Sequence, residues 1–145
     1  MPLLDQIDAL RWFSFASAAI VLNLFFVANY TAIVRVRHKQ VVNPEDAPTL
    51  DAKHADAEHA EVLRVHRAHR NAMENAVPFF VIGLLYALSA PSDVGAKVYF
   101  GVFAGARWLH TLFYLRKMQP FRTIAFIVGL LATLGMLVHV VRVAI

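Results

Sequence analysis

The chain of 145 residues is unusually apolar, with 59% hydrophobic and only 17% charged residues. Ordinary soluble domains are about 45–50% apolar and about 25% charged, so this composition indicates a membrane protein and excludes disordered, collagen-like and coiled-coil classes. The sequence contains no cysteine, which excludes disulfides, thiolate metal sites and a cysteine nucleophile. The net charge of +4 is small for this length, so the placement of the charges matters more than their sum.

Four segments are long and apolar enough to cross a bilayer, which takes about 20 residues. We predict spans at about 12–34, 62–90, 94–115 and 122–142. A long loop, about 35–61, joins the first two spans, and we expect Asn43-Pro44 and Ala47-Pro48 to break any helix within it. The middle of this loop, 51–61, is typical of a solvated loop or a short surface helix. The sequence therefore predicts a single all-α membrane domain, a four-helix bundle over residues 1–145.

Basic residues are distributed unevenly among the predicted connections. Ten lysines and arginines fall at the first and third loops, three fall at the opposite face, and Arg107 lies inside the third span. By the positive-inside rule, we expect loops one and three in the cytoplasm and both termini on the opposite side. These charges lie close to the membrane and lack interleaved aromatic residues, so we expect no binding of nucleic acid.

Ionisable residues inside the spans are costly and indicate a functional site by default. At about 100° per residue, polar residues of the second span share one arc of the helix: Arg64, Arg67, Arg70, Asn71 and Glu74. The opposite arc carries small residues suited to close helix packing: Ala68, Ala72 and Ala76. The third span has a similar polar side: Arg107, His110, Thr111 and Tyr114. Spacing alone leaves open a site for an anionic ligand and plain structural pairing, such as an Arg70–Glu74 salt bridge. The histidines form no pattern that predicts a metal site.

Three groups of residues follow one another in a distinctive order. They are Asn43-Pro44-Glu45-Asp46-Ala47, then Arg67-Ala68-His69-Arg70-Asn71-Ala72-Met73-Glu74-Asn75 with Pro78-Phe79, then Gly105-Ala106-Arg107 with His110-Thr111 and Tyr114-Leu115. Together they resemble the MAPEG family, the membrane-associated proteins of eicosanoid and glutathione metabolism, over essentially the whole chain. The resemblance implies a homotrimer of four-helix protomers that binds glutathione between adjacent protomers at the cytoplasmic side.

The resemblance also implies roles for individual residues. The residues implied in glutathione binding are Arg35, Arg67, Arg70, Asn71, Glu74, His110 and Tyr114. Glutathione carries two carboxylates, which suit arginines, and one ammonium, which suits Glu74. Arg122 is implied as the catalytic residue, because a guanidinium beside the sulfur stabilises the thiolate that attacks a hydrophobic electrophile or a lipid peroxide. Considered alone, Arg122 is equally typical of a basic anchor at the membrane surface.

Two positions bear on the activity expected within the family. By the same resemblance, Thr123 stands where the family's prostaglandin synthase has serine. Phe126 stands where that enzyme has tyrosine and where the family's glutathione transferase has phenylalanine. These residues favour a glutathione transferase or peroxidase. A prostaglandin E synthase-like isomerase and a non-enzymatic lipid-binding protein are the alternatives. The sequence leaves open whether the membrane is a bacterial inner membrane or the endoplasmic reticulum.

Overall fold

The computed structural model describes the backbone of residues 2–145 and the side chains from residue 7 onward. Its long helices are α1 (Pro2–His38), α3 (Ala60–Leu88), α4 (Asp93–Leu115) and α5 (Phe121–Ala144). Between α1 and α3 lie the single-turn helix α2 (Asp46–Thr49) and two short strands, β1 (Gln40–Val41) and β2 (Lys53–His54), which pair in parallel. The predicted helical class is confirmed, with this small sheet as an addition.

Three helical segments are long and apolar enough to cross a membrane: Ile7–His38, Ala60–Leu88 and Phe121–Ala144. The 23 residues of α4 are also long enough, but Lys97, Arg107 and His110 lower its mean hydropathy, and its crossing stays a prediction. Large apolar side chains cover the outside of the helices; Leu22 and Phe25, for example, are 60% and 61% exposed. Lipid can solvate such a surface, whereas water cannot do so without cost. The chain is a membrane protein.

The connection between α1 and α3 differs from the sequence prediction. Ala47-Pro48 does not break a helix, because Pro48 lies inside the single turn of α2, where the first backbone N–H groups have no helical partner to lose. Of the two alternatives for 51–61, the structure has the loop up to residue 59, with β2 within it, and α3 begins at Ala60. Lys39 Nζ donates to Asp51 Oδ2 at 2.7 Å, and this hydrogen bond holds the pKa of the exposed Asp51 carboxyl below its usual value.

The interior of the bundle contains two apolar clusters. In the larger one, Phe79 is fully buried and its ring stacks on Phe103, with centroids 4.1 Å apart. In the smaller one, valines of α1 and α3 pack together: Val27, Val34, Val62 and Val65, with Ala68. The small-residue stripe of α3 is buried as predicted, with Ala68, Ala72 and Ala76 only 1%, 4% and 2% exposed. This packing turns the polar arc of α3 away from the core.

Candidate functional site

A cavity of about 280 Å³ lies between α3, α4 and α5, and we call it the Arg122 cavity. Its lining residues are Asn71, His110, Tyr114, Arg122, Thr123 and Phe126. Residues four apart on a helix face the same way, which explains why His110 and Tyr114 of α4 meet Arg122 and Phe126 of α5 here. The structure thus brings together four of the predicted site residues.

Arg122 is held in this cavity by neutral partners. Its guanidinium carbon lies 4.6 Å from the centroid of the Tyr114 ring, a cation–π arrangement. The Gln119 carboxamide, with its oxygen toward the guanidinium, accepts from Nη2 at 2.6 Å and from Nε at 3.2 Å. Within the described part of the chain, no carboxylate pairs with Arg122. Its charge is therefore positioned without being neutralised, as an anion-binding site requires.

Arg107 contacts two residues of the Arg122 cavity, Asn71 and His110, without lining the cavity itself. Its side chain is only 2% exposed, and Nη2 donates to Asn71 Oδ1 at 2.7 Å and approaches His110 Nδ1 at 3.4 Å. A guanidinium can only donate, so His110 Nδ1 is the acceptor and its ring proton resides on Nε2. Since Asn71 Oδ1 is occupied, the Asn71 amide nitrogen is the group left to meet a ligand. Arg107 was not among the predicted site residues, although a charge inside a span is the signal that marks it.

In addition to the Arg122 cavity, a groove of about 630 Å³ runs along the outside of α3, and we call it the α3 groove. Arg70 and Glu74 line it together with His66, His69 and three apolar residues. Among the described residues, none forms a hydrogen bond or ion pair with the side chain of Arg67, Arg70 or Glu74, so the Arg70–Glu74 salt bridge is not formed. The structural-pairing interpretation applies instead to Arg64, whose Nη2 lies 3.3 Å from Glu61 Oε1.

The predicted glutathione-binding residues are consequently divided within one chain. The Arg122 cavity and the α3 groove share no lining residue. Arg67 is exposed on α3 and lines neither. Arg35 does not line either of them. Its guanidinium instead pairs with the carboxylate of Glu58, just before α3. Sequence reasoning also missed Gln119, a loop residue whose contact with Arg122 has no periodic signal.

The conserved profile of the MAPEG family matches residues 13–142. This chain belongs to the MAPEG family. It is 39% identical over 140 residues to microsomal glutathione S-transferase 1 of Mus musculus, covering 93% of this chain and 90% of the mouse protein. It is 44% identical over 130 residues to the Sus scrofa protein of the same name, covering 85% and 84% of the two chains. It is also 37% identical over 135 residues to prostaglandin E synthase of Equus caballus, covering 92% and 88%. The family resemblance found in the sequence motifs is thereby confirmed.

Proposed function

We propose that this MAPEG protein is a glutathione transferase that conjugates glutathione to hydrophobic electrophiles within the membrane. The observation that carries the proposal is Arg122, a cation that is held over Tyr114 and by Gln119 without a carboxylate partner among the described residues. The names of the transferase relatives support glutathione as the thiol substrate.

The polar groups of the chain match the charges of glutathione one by one. Arg67 and Arg70 suit the two carboxylates, since a guanidinium offers a planar pair of donors, and Glu74 suits the ammonium. The free amide nitrogen of Asn71 suits a peptide carbonyl. Arg67, Arg70 and Glu74 do not have to break an internal ion pair before they bind, because their side chains are unpaired in the described part of the chain. Arg35, in contrast, is paired with Glu58.

Arg122 would act on the sulfur. A free thiol has a pKa of about 8.5 and is mostly protonated at neutral pH, and an adjacent guanidinium favours the thiolate. The thiolate forms the new bond to the electrophilic carbon, and the leaving group departs with its electron pair. With a lipid peroxide, the thiolate sulfur instead attacks the terminal oxygen, the O–O bond breaks, and the lipid alkoxide takes up a proton and leaves as the alcohol. The glutathione sulfenic acid formed in this step then reacts with a second glutathione to give the disulfide and water.

The division of the site supports an assembly in which neighbouring chains complete it. We propose a homotrimer in which the α3 groove of one protomer, with Arg35, faces the Arg122 cavity of the next. Glutathione would then bind its charged ends in the groove and place its sulfur in the cavity. In this arrangement α4 is the fourth membrane span, loops one and three are cytoplasmic, and both termini lie on the opposite side.

The mechanism is tested by comparing Arg122→Ala with Arg122→Lys in the detergent-solubilised protein. Loss of one preorganised contact at the reacting atom costs typically 10²–10³ in rate, so we expect kcat of Arg122→Ala to fall by about that factor. The ultraviolet thiolate absorbance of bound glutathione should fall as well, with little change in affinity. Lysine should recover only part of the rate, because it lacks the planar fork.

Glu74→Ala and Arg142→Ala complete this experiment. Glu74→Ala should mainly raise KM, since the ammonium end of glutathione is remote from the sulfur. Arg142→Ala, in the last turn of α5, is the matched control and should change neither constant. A normal thiolate absorbance and an unchanged kcat in Arg122→Ala would contradict the proposed role and leave Arg122 as a surface anchor.

A prostaglandin E synthase-like isomerase is the second candidate, because curated relatives with that name match most of the chain. The same protein, supplied in parallel with a prostaglandin endoperoxide and with an aryl chloride, separates the two activities. Conversion of the endoperoxide without conjugation of the aryl chloride would favour the isomerase. Failure to bind glutathione at millimolar concentration would contradict both enzymes and favour a lipid-binding protein.

A further inference from the structure

A third cavity, of about 290 Å³, lies where α1 ends and α3 begins, against the last residue of α4. We call it the loop-one cavity; it shares no lining residue with the Arg122 cavity or the α3 groove. Part of its wall is apolar and comes from Tyr30, Val34, Val65 and Leu115. The remainder is polar and includes Arg37 and Arg64. The cavity is therefore amphipathic.

The charges at this cavity are unbalanced. Glu61 is the carboxylate in its lining, and Glu61 Oε1 is shared by Lys117 Nζ at 2.8 Å and Arg64 Nη2 at 3.3 Å. Arg37 is exposed, and in the described part of the chain it forms no hydrogen bond or ion pair. His38 contributes a ring that stacks on His59, with centroids 3.8 Å apart. Two lining arginines, Arg37 and Arg64, and the nearby Lys117 therefore outnumber the single lining carboxylate, Glu61. Arg37 remains free to bind an anion.

The position of the cavity indicates which anion it suits. It lies at the end of two helices that are apolar enough to cross a membrane, and Tyr30, next to the exposed apolar surface of α1, is a residue type that concentrates at membrane interfaces. Basic pockets between membrane helices bind the head groups of anionic lipids, and arginine matches phosphate geometry. A small soluble anion would gain nothing from the apolar wall.

We propose that the loop-one cavity binds an anionic phospholipid, with its phosphate at Arg37 and Arg64 and the upper part of an acyl chain against Val34 and Leu115. This site is separate from the residues assigned to glutathione and does not depend on the proposed enzymatic function. It would give the protein a lipid preference in its own membrane.

The experiment titrates the full-length protein in detergent micelles with single phospholipids and measures retained lipid by native mass spectrometry. Micelles are used because they lack the diffuse surface potential of an anionic vesicle, which attracts any basic residue. The wild type should retain phosphatidylglycerol in preference to phosphatidylcholine. Arg37→Ala should weaken phosphatidylglycerol binding about 10- to 100-fold, because it removes a charge-assisted hydrogen bond to the phosphate. It should also reduce the preference over phosphatidylcholine, whose choline ammonium is disfavoured beside the remaining basic residues. Arg116→Ala, an exposed arginine that does not line the cavity, is the matched control and should have no effect.

Three outcomes would overturn the proposal. Equal retention of the two lipids by the wild type would remove the charge preference. An equal loss of binding in Arg37→Ala and Arg116→Ala would indicate attraction by the overall basic charge. Displacement of the retained lipid by equimolar inorganic phosphate would show that the cavity takes free phosphate. Glutathione binding, measured on the same Arg37→Ala protein, should equal that of the wild type, so failure of this proposal and of the proposed function remain distinguishable.

Discussion

Replacing Arg107 with methionine tests why the bundle keeps a charge in its interior. The partners of this buried guanidinium are neutral, namely the Asn71 carboxamide and the His110 ring, and its Nη1 has no partner among the described residues. Burial of an ion without a counter-charge costs several kcal/mol. One charge-assisted hydrogen bond, the 2.7 Å contact to Asn71, returns about 1.5–3 kcal/mol. Arg107 is therefore expected to serve the site at a cost to stability.

Methionine has a similar length, adapts to irregular packing and carries no charge. We expect the free energy of unfolding of Arg107→Met to stay within about 2 kcal/mol of the wild type, because removal of the buried charge is offset by the loss of the donor to Asn71 Oδ1 and to the buried His110 Nδ1. Thermal unfolding of the solubilised protein, followed by tryptophan fluorescence, measures this. Activity should fall nonetheless. Asn71 and His110 lose their common anchor, and a misplacement of about 1 Å can cost about 10²-fold, so kcat/KM for glutathione conjugation to 1-chloro-2,4-dinitrobenzene should fall about 10- to 100-fold.

Thr111→Val is the matched control, because Thr111 is also buried on α4 and donates to Asn23 Oδ1 at 3.1 Å. This change leaves a buried acceptor unpaired, which costs about 1–3 kcal/mol, and Thr111 itself does not line the Arg122 cavity. It should lower stability and preserve kcat/KM. The reasoning would be refuted if Arg107→Met lowered the unfolding midpoint as Thr111→Val does while kcat/KM stayed at the wild-type value.

Three further substitutions test other parts of the structure. Tyr114→Leu removes the ring that contacts Arg122, a cation–π interaction of about 0.5–2 kcal/mol, so kcat should fall about 2- to 30-fold. Tyr114→Phe keeps the ring and should keep kcat; an equal fall in kcat would contradict a role for the cation–π interaction. Phe79→Ala removes a fully buried ring and should lower the free energy of unfolding by about 3–5 kcal/mol in denaturant titrations, whereas the exposed Phe25→Ala should have little effect. Ala72→Leu overfills the packed face of α3 by about 1–3 kcal/mol and should weaken the proposed trimer; an unchanged crosslinking ladder in native membranes would count against this.

Helix positions and faces were predictable because they depend on local, periodic properties of the chain. Hydropathy and turn residues predicted 62–90, 94–115 and 122–142, and the structure has helices at Ala60–Leu88, Asp93–Leu115 and Phe121–Ala144. The first helix extends well beyond 12–34, because hydropathy reports only the apolar part of a helix whose backbone hydrogen bonds continue into polar sequence. The small-residue stripe at i, i+4, i+8 was buried for the same periodic reason.

The grouping of the polar residues was decided only by tertiary packing. One helical arc carries Arg70, Asn71 and Glu74, yet Asn71 lines the Arg122 cavity while Arg70 and Glu74 line the α3 groove. The division arises because α4 brings Arg107 against Asn71, a contact between residues 36 positions apart. In the same way, the fold of loop one carries Glu58 back to Arg35, 23 positions away. Periodicity states which side chains share a face of one helix, but a contact across helices depends on their relative rotation and distance. The relative rotation and distance of two helices are set by the simultaneous packing of all buried side chains. They are therefore properties of the folded bundle and cannot be read from any single segment of the sequence.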